Sequence, residues 1–203
     1  MGSSPVFALS RRSEWAEIRD WFLSGEMAGF PVEFSYALAE VPTARIPKDV
    51  HRLHRLKGRS ETKPILYLAG NLEVVSRFAA LPEDPSRRRL LEGQPRFLTF
   101  LLPARPLAVA LGMAKSGKVA FRIPPRRPLR DFLDYLGEPL SGTSLNLSGS
   151  SPLRNLEEIR GVFPELAVVD GGFRPGAPVS PILDLTAFDR PVLRRSWRSL
   201  PVR

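Results

Sequence analysis

Apolar side chains recur three or four residues apart in four stretches of the chain, the spacing that places them on one face of an α-helix. Each stretch also carries a boundary signal, such as an Asn that can cap the first turn or a Pro that fits its first position. We therefore predict four helices, which begin near Ser13, after Asn71, at Pro128 and after Asn155. Ser13 is the expected N-cap of the first helix, and Gly25 is its expected end. Glu158 follows Asn155 at the spacing of a capping box.

Short apolar runs of strand length lie between these helices. They predict seven strands, over residues 27–32, 65–68, 97–102, 119–123, 167–169, 182–185 and 192–194. Strands interleaved with helices are typical of an α/β or α+β domain. The spacing is too irregular for repeated strand–helix–strand units, so we expect a mixed sheet with flanking helices. The length of 203 residues fits a single domain over residues 1–203.

The amino-acid composition limits the partners, catalytic groups and metal sites that this chain can have. Thirty Lys and Arg against 21 Asp and Glu give a net charge of +9, which favours nucleotides, nucleic acid or acidic surfaces as partners, although a solvated basic surface explains it equally well. The absence of cysteine excludes disulfides, thiolate catalysis and zinc–thiolate sites. Two histidines provide few ligands for a metal site built from histidine side chains. No apolar run is long enough to span a bilayer and no signal-peptide pattern opens the chain, so we expect a cytoplasmic protein without membrane contact.

A first candidate site is the basic segment over residues 56–64. Lys57, Arg59 and Lys63 place three cations within seven residues, beside Gly58, which lets the backbone approach a ligand. A phosphate chain is held well by a compact Lys charge and by the planar fork of an Arg. A solvated basic turn is the common alternative. No Gly-x-x-x-x-Gly-Lys-Ser/Thr or Gly-x-Gly-x-x-Gly motif is present, which disfavours a P-loop or Rossmann site.

Two further segments are rich in turn-forming residues. Residues 141–149 hold hydroxyls and glycines after the strand-like Pro139-Leu140, so their hydroxyl and backbone N–H groups could cradle an anion. Residues 170–176 contain glycines that suggest a tight turn over a site, with Ser180 and Arg195 further on. The alternative for both is an ordinary loop joining two elements.

The order and spacing of these motifs resemble the YrdC-like family of threonylcarbamoyl-AMP synthases. The matching motifs are Lys57-Gly58-Arg59 with Lys63-Pro64, Pro95 with Leu98-Thr99, Val119 to Pro124, Thr143 to Gly149, Asp170 to Gly172, Ser180, and Asp184 to Thr186. An early segment, Pro31 to Leu38, looks like the Pro-Thr-Glu-Thr-x-Tyr-Gly-Leu strand and turn of the family. The resemblance runs from about residue 15 to residue 195.

The resemblance implies a twisted mixed sheet with flanking helices and a basic concave groove. Family members condense L-threonine, bicarbonate and ATP into threonylcarbamoyl-AMP and pyrophosphate, and a partner enzyme transfers the threonylcarbamoyl group to an adenosine of tRNA. The chemistry needs no protein nucleophile, since alignment and charge stabilisation would supply the catalysis. Mg²⁺ would act through the phosphates of the ATP substrate rather than through protein ligands.

Residue by residue, the resemblance makes Lys57 and Arg59 the catalytic pair that grips the triphosphate, with Lys63 structural. It assigns the other nucleotide and phosphate contacts to Ser144, Asn146, Arg122, Ser180 and Arg195. It assigns the threonine pocket to Val32, Tyr36, Thr143 and Ser180.

The early motif departs from the family pattern. Val32 and Phe34 replace its two threonines, and a Val side chain cannot form a hydrogen bond. Ala37, Arg96 and Pro181 also differ from the family residues. Two alternatives therefore stay open: a paralogue with other carbamoyl or adenylate chemistry, and a double-stranded-RNA-binding member without synthase activity. No RNA-binding signature is present, and aromatic residues are not interleaved with the basic runs.

Overall fold

The computed structural model describes residues 4–42, 65–92, 97–147, 149–176, 180–186 and 192–193. Those ranges contain ten strands and six α-helices. The strands are β1 (Val6–Ala8), β2 (Ala28–Pro31), β3 (Tyr36–Ala39), β4 (Leu66–Leu68), β5 (Thr99–Pro103), β6 (Lys118–Arg122), β7 (Leu140–Ser144), β8 (Ala167–Asp170), β9 (Ile182–Asp184) and β10 (Val192–Leu193). The helices are α1 (Trp15–Leu23), α2 (Leu72–Phe78), α3 (Pro85–Glu92), α4 (Pro106–Ala110), α5 (Leu129–Leu136) and α6 (Leu156–Val162).

The chain divides into two compact units, the first drawn from Met1–Lys63 with Leu140–Gly176. Its strands lie in the order β1-β8-β2-β3-β7. The β1/β8 and β8/β2 pairs are parallel, whereas β2/β3 and β3/β7 are antiparallel. Helix α1 buries Ile18 and Phe22, and the Phe22 ring meets Phe30 of β2 edge-on at 5.8 Å between centroids. The mixed sheet therefore has an apolar core against α1.

The second unit comprises Pro64–Pro139 with Ala177–Arg203. Its strands lie in the order β4-β6-β5-β9-β10. Strand β6 is parallel to β4 and antiparallel to β5, while β9 is parallel to β5 and antiparallel to β10. The side chain of Asn71 caps α2 by accepting from the Val74 N–H, and it also donates to Asp134 of α5. A Cβ at Gly70 would overlap the Asp134 backbone, so this close approach requires glycine.

The four predicted helices are all present, as α1, α2, α5 and α6. Asn155 caps α6 by accepting from the Glu158 N–H at 2.8 Å, as the capping-box spacing predicts. Ser13 is not the cap of α1. The N-cap is Glu14, which makes no side-chain capping bond, because a 3₁₀ turn over Arg12–Glu14 precedes the helix.

Helices α3 and α4 were not predicted. Only Leu91 of α3 is buried, so its sequence shows no apolar stripe, and α4 has just five residues. No helix in the described ranges is both long and apolar enough to cross a membrane.

All seven predicted strands are present within two residues of their expected ends, as β2, β4, β5, β6, β8, β9 and β10. Strands β1, β3 and β7 were missed as strands. Strand β7 consists of Leu-Ser-Gly-Thr-Ser, a composition that indicates a loop when read locally, and it becomes a strand by pairing with β3. The predicted α/β class with mixed sheet and flanking helices is confirmed. The single domain and the basic concave groove stay predictions.

Candidate functional site

Five of the predicted site residues that the structure describes lie in the first unit, near the end of the sheet formed by β2, β3 and β7. Val32 opens the turn between β2 and β3, and its N–H donates to the Ser35 carbonyl at 2.9 Å. Thr143 pairs with Leu38 and Ser144 with Ala37. The Leu145 N–H donates to the Tyr36 carbonyl at 2.8 Å, which continues this pairing past the end of β7. The fold therefore gathers residues that are more than a hundred positions apart in the sequence.

The predicted anion-binding segment is only partly a loop. Residues 141–144 belong to β7, where the Ser141 hydroxyl accepts from the Glu40 N–H at 2.9 Å and so has a structural contact. Beyond the strand, the Ser144 hydroxyl donates to Asn146 Oδ1 at 2.8 Å. The Asn146 amide in turn donates to the Ser150 carbonyl at 2.6 Å. Buried Leu145 anchors the segment between these two polar residues.

This local network holds Ser144 and Asn146 in place before any ligand arrives. Ser144 is exposed and Asn146 is half-buried, so both polar groups are accessible from solvent. A hydroxyl can turn its hydrogen from a neutral amide oxygen to an incoming phosphate, because a hydrogen bond to a charged oxygen is the stronger one. The arrangement is suited to binding an anion. Ser148 lies outside the described residues.

Tyr36 is fully buried, and its hydroxyl organises the turn that follows β8. The Gly171 N–H donates to it at 2.9 Å. The hydroxyl lies 2.9 Å from Asp170 Oδ1 and 3.1 Å from the Gly172 carbonyl, either of which can accept its hydrogen. Burial raises the pKa of Tyr36 to about 12. Tyr36 thus acts as a positioning residue, which links the β2–β3 turn to the glycine turn at residues 171–172.

Replacing Tyr36 with phenylalanine is expected to lower the free energy of unfolding by about 1–3 kcal/mol, because the Gly171 N–H loses its acceptor. The effect should depend on pH. The folded-state pKa is above that of an unfolded tyrosine, so the wild type keeps this contribution below about pH 10 and loses it as the pH rises towards about 12. Urea unfolding at several pH values should show that the difference in free energy of unfolding between the wild type and Tyr36→Phe becomes smaller over that range. A difference that does not change with pH would contradict a buried Tyr36 hydroxyl.

The second unit holds Arg122 and Ser180. Arg122 ends β6 with only 6% of its surface exposed, and its guanidinium carbon lies 4.3 Å from the centroid of the Phe97 ring. Burial lowers the pKa of Arg122 to about 9. A buried cation is stabilised by an anionic partner and by an aromatic face. Arg122 is therefore a buried cation that packs against an aromatic face at the end of β6.

Ser180 is buried rather than open to solvent. Its hydroxyl lies 2.8 Å from the Thr99 hydroxyl, and the Thr99 N–H donates to the Pro181 carbonyl at 3.0 Å. Thr99 belongs to one of the matching motifs, and the sequence predicted no role for it. The structure shows that it fixes the segment carrying Ser180 against β5.

The Asp-Leu-Thr motif, Asp184 to Thr186, makes structural contacts that the sequence did not predict. Asp184 is completely buried and lies 3.2 Å from the Lys118 ammonium. It also accepts from the Thr186 N–H at 3.0 Å and from the Thr186 hydroxyl at 2.6 Å. This ion pair ties β9 to β6 across β5 within the second unit.

The remaining predicted site residues, Lys57, Arg59 and Arg195, lie outside the described residues, as does Lys63. Within the described ranges, no group of three or more His, Asp or Glu side chains is arranged to hold a metal ion.

The Sua5/YciO/YrdC family model, described as telomere recombination, matches residues 21–196. The chain belongs to this family. The resemblance inferred from the motifs is thereby confirmed, and it covers most of both units. The match establishes the family, whereas the roles of the individual site residues stay predictions.

Relatives with a stated activity are also similar to this chain. A Dichelobacter nodosus protein named threonylcarbamoyl-AMP synthase is 28% identical over 162 residues, which cover 79% of this chain and 84% of that protein. The Homo sapiens protein of the same name is 32% identical over 192 residues, covering 84% of this chain and 62% of that protein. This chain therefore spans most of the bacterial relative but less than two thirds of the human one.

A solved structure is similar in fold. P. abyssi Sua5 complexed with L-threonine superposes with a TM-score of 0.75 at 24% sequence identity, over 96% of this chain and 57% of that chain. At this identity the likeness shows the fold alone.

Proposed function

We propose that this chain is an L-threonylcarbamoyladenylate synthase, which condenses L-threonine, bicarbonate and ATP into threonylcarbamoyl-AMP and pyrophosphate for the modification of tRNA. The proposal rests on the alignment with the Dichelobacter nodosus protein of that name, which covers 79% of this chain. The Ser144–Asn146 segment supports it, because its accessible polar groups suit an anionic substrate. A separate transfer enzyme and tRNA are the proposed partners downstream.

The chemistry follows from the substrates. The threonine amine adds to bicarbonate with loss of water, or to CO₂ with loss of a proton, and forms a carbamate. A carbamate oxygen then attacks the α-phosphorus of ATP while pyrophosphate leaves. Catalysis would come from aligning these groups and from balancing the charge on the phosphates. Lys57 and Arg59 are proposed to grip the triphosphate, with Arg195 closing over the adenylate. Mg²⁺ would enter with ATP, bound to its phosphates.

In the described part of the site, Ser144 and Asn146 are proposed to offer polar contacts to the nucleotide phosphates. Both belong to a segment already ordered by its own hydrogen bonds, at 2.8 and 2.6 Å, so little freedom would be lost on binding. Thr143 precedes them on β7 and is buried, which suits a contact that shapes the threonine pocket. Ser180 is proposed to contribute through the segment that Thr99 fixes.

The amino-acid side of the site is where this chain departs from its family. Val32 is half-buried in the β2–β3 turn, and its own N–H is already used by Ser35. Its side chain can contribute contact area but no hydrogen bond. We infer that threonine binds here with one polar contact fewer than in relatives with a hydroxyl at this position.

Pyrophosphate release from ATP is expected to require both L-threonine and bicarbonate. Val32→Thr should then lower the KM for threonine roughly fivefold, which corresponds to about 1 kcal/mol for one neutral hydrogen bond. Val32→Ala is the matched control, because it changes the size of the side chain without adding a hydroxyl. Release that is absent, or indifferent to threonine, would contradict the proposed reaction.

Other carbamoyl or adenylate chemistry is a second candidate, favoured by the apolar Val32 at the turn. It predicts bicarbonate- or carbamoyl-dependent turnover of ATP that L-threonine does not stimulate. The same pyrophosphate assay separates the two, with alternative amines and carbamoyl phosphate tested in place of threonine.

A further inference from the structure

The segment that follows β8 is held firmly at several points. We refer to residues 171–176 as the strap. Its Arg174 N–H donates to the Arg154 carbonyl at 2.8 Å, and its Gly176 N–H donates to the Phe34 carbonyl at 2.8 Å. The Arg174 guanidinium also donates to the Gly171 carbonyl at 2.6 Å. Together with the Tyr36 hydroxyl, these bonds fix the backbone on both sides of Phe173.

Phe173 is nevertheless the most exposed large apolar side chain in the described ranges, with 63% of its surface in contact with solvent. Gly172, at φ +77°, provides the turn that leads into it. Single exposed apolar residues are common on protein surfaces. This one differs because fixed backbone on either side holds the ring outward.

A guanidinium accompanies the exposed ring. The Cζ atom of Arg154 lies 5.6 Å from the centroid of the Phe173 ring, within the range of a cation–π contact. The Arg154 side chain is itself 46% exposed, and its guanidinium also forms an ion pair of 3.9 Å with Glu158. The residue next to Phe173 in the sequence is Arg174, whose guanidinium turns to the Gly171 carbonyl. The cation over the ring is Arg154, which the fold brings from 19 positions earlier (173 − 154).

An exposed aromatic ring with a guanidinium beside it has the chemistry that an unpaired nucleobase needs: a π-face for stacking and positive charge for the adjoining phosphates. We propose that Phe173 and Arg154 form a stacking site for a base of single-stranded RNA. The neighbouring Gly172, Pro175 and Gly176 are exposed as well, so the surface is open. A strand can cross such a surface, whereas a free nucleotide is normally enclosed by a pocket.

The proposal goes beyond the synthase reaction and is tested without it. The probe is a fluorescein-labelled oligo(A) RNA of about 12 nucleotides, which is within the usual site size for single strands, and binding is followed by fluorescence anisotropy. Phe173→Ala is expected to raise the Kd roughly five- to 100-fold, the loss that removal of one base–aromatic stack produces. Phe173→Trp should retain binding. Val109→Ala is the matched control, because Val109 is similarly exposed, at 59%, on α4.

Three comparisons can overturn the proposal. The first is absence of oligo(A) binding by the wild type, or binding that Phe173→Ala leaves unchanged. The second is an equal loss for duplex RNA, whose bases are already stacked, which would indicate contacts to phosphates alone. The third is an equal loss of ATP affinity in titration calorimetry, which would assign the ring to the free nucleotide. Failure of the synthase reaction would appear in pyrophosphate release and leave the RNA Kd untouched.

Arg154→Gln supplies an independent readout. It should weaken oligo(A) binding and also reduce the dependence of the Kd on salt, since each phosphate neutralised by an arginine releases counterions. Phe173→Ala should weaken binding to a similar extent at every salt concentration. Identical salt slopes for Arg154→Gln and the wild type would overturn the assignment of Arg154 to this site.

Discussion

Replacing Asp184 with alanine is expected to lower the free energy of unfolding by about 2–4 kcal/mol, because two hydrogen-bond donors of Thr186 and the Lys118 ammonium lose a buried charged acceptor. Asp184 is completely buried and accepts from Lys118 at 3.2 Å and from two groups of Thr186. Alanine leaves the Thr186 N–H and hydroxyl without this acceptor and opens a small cavity beside β9. The strand is short, so its position against β5 depends on these contacts.

Urea unfolding of Asp184→Ala, Lys118→Met and the double variant would measure this contribution. Lys118 is 35% exposed and can regain water when Asp184 is lost, whereas the reverse change leaves a carboxylate in a buried site. We therefore expect Lys118→Met to be destabilising too, with a double variant less unstable than the sum of the singles. Simple additivity would mean that Lys118 and Asp184 do not stabilise each other.

Lys57→Ala and Arg59→Ala are each expected to weaken ATP binding tenfold or more, because a hydrogen bond to a charged group contributes about 1.5–3 kcal/mol. Both residues belong to the basic segment that resembles a motif of the family, and an Arg can engage two phosphate oxygens at once. Titration calorimetry with ATP and Mg²⁺ gives the affinity directly. The melting temperature should change little if both side chains serve the ligand.

Lys63→Ala is the matched control for this pair, since it removes the same charge from the same segment at a position expected to be structural. A parallel loss of melting temperature and ATP affinity in Lys57→Ala or Arg59→Ala would point to a structural ion pair. If the wild type does not bind ATP at millimolar concentration, the segment is an ordinary basic turn.

Local signals were sufficient for much of the fold. Asn71 and Asn155 each accept a hydrogen bond from the N–H three residues later, and this capping chemistry depends only on neighbours in the sequence. In α5 the apolar residues that recur at helical spacing are all buried, namely Leu129, Phe132, Leu133 and Leu136, and Gly137 ends the helix with φ +69°. The order of short motifs was likewise enough to indicate the family, which the match over residues 21–196 confirmed.

Local signals failed where pairing with a distant segment decided the structure. Strand β7 has the composition of a loop, and only the antiparallel contact with β3 makes residues 140–144 extended. The same contact changed the candidate anion site. Its first hydroxyl, Ser141, is engaged with the Glu40 N–H in the sheet, and the accessible part begins at Ser144.

Short-range periodicity and the order of motifs were enough to predict the α/β class, the capped helices and the family. The tertiary packing was needed to show that Tyr36 bonds to Asp170, 134 residues away, and that Arg154 lies over the Phe173 ring. Neither pair shows a local pattern, since each depends on where the sheet places two remote segments. The positions of buried hydroxyls, ion pairs and stacked cations follow from packing, which local sequence patterns do not specify.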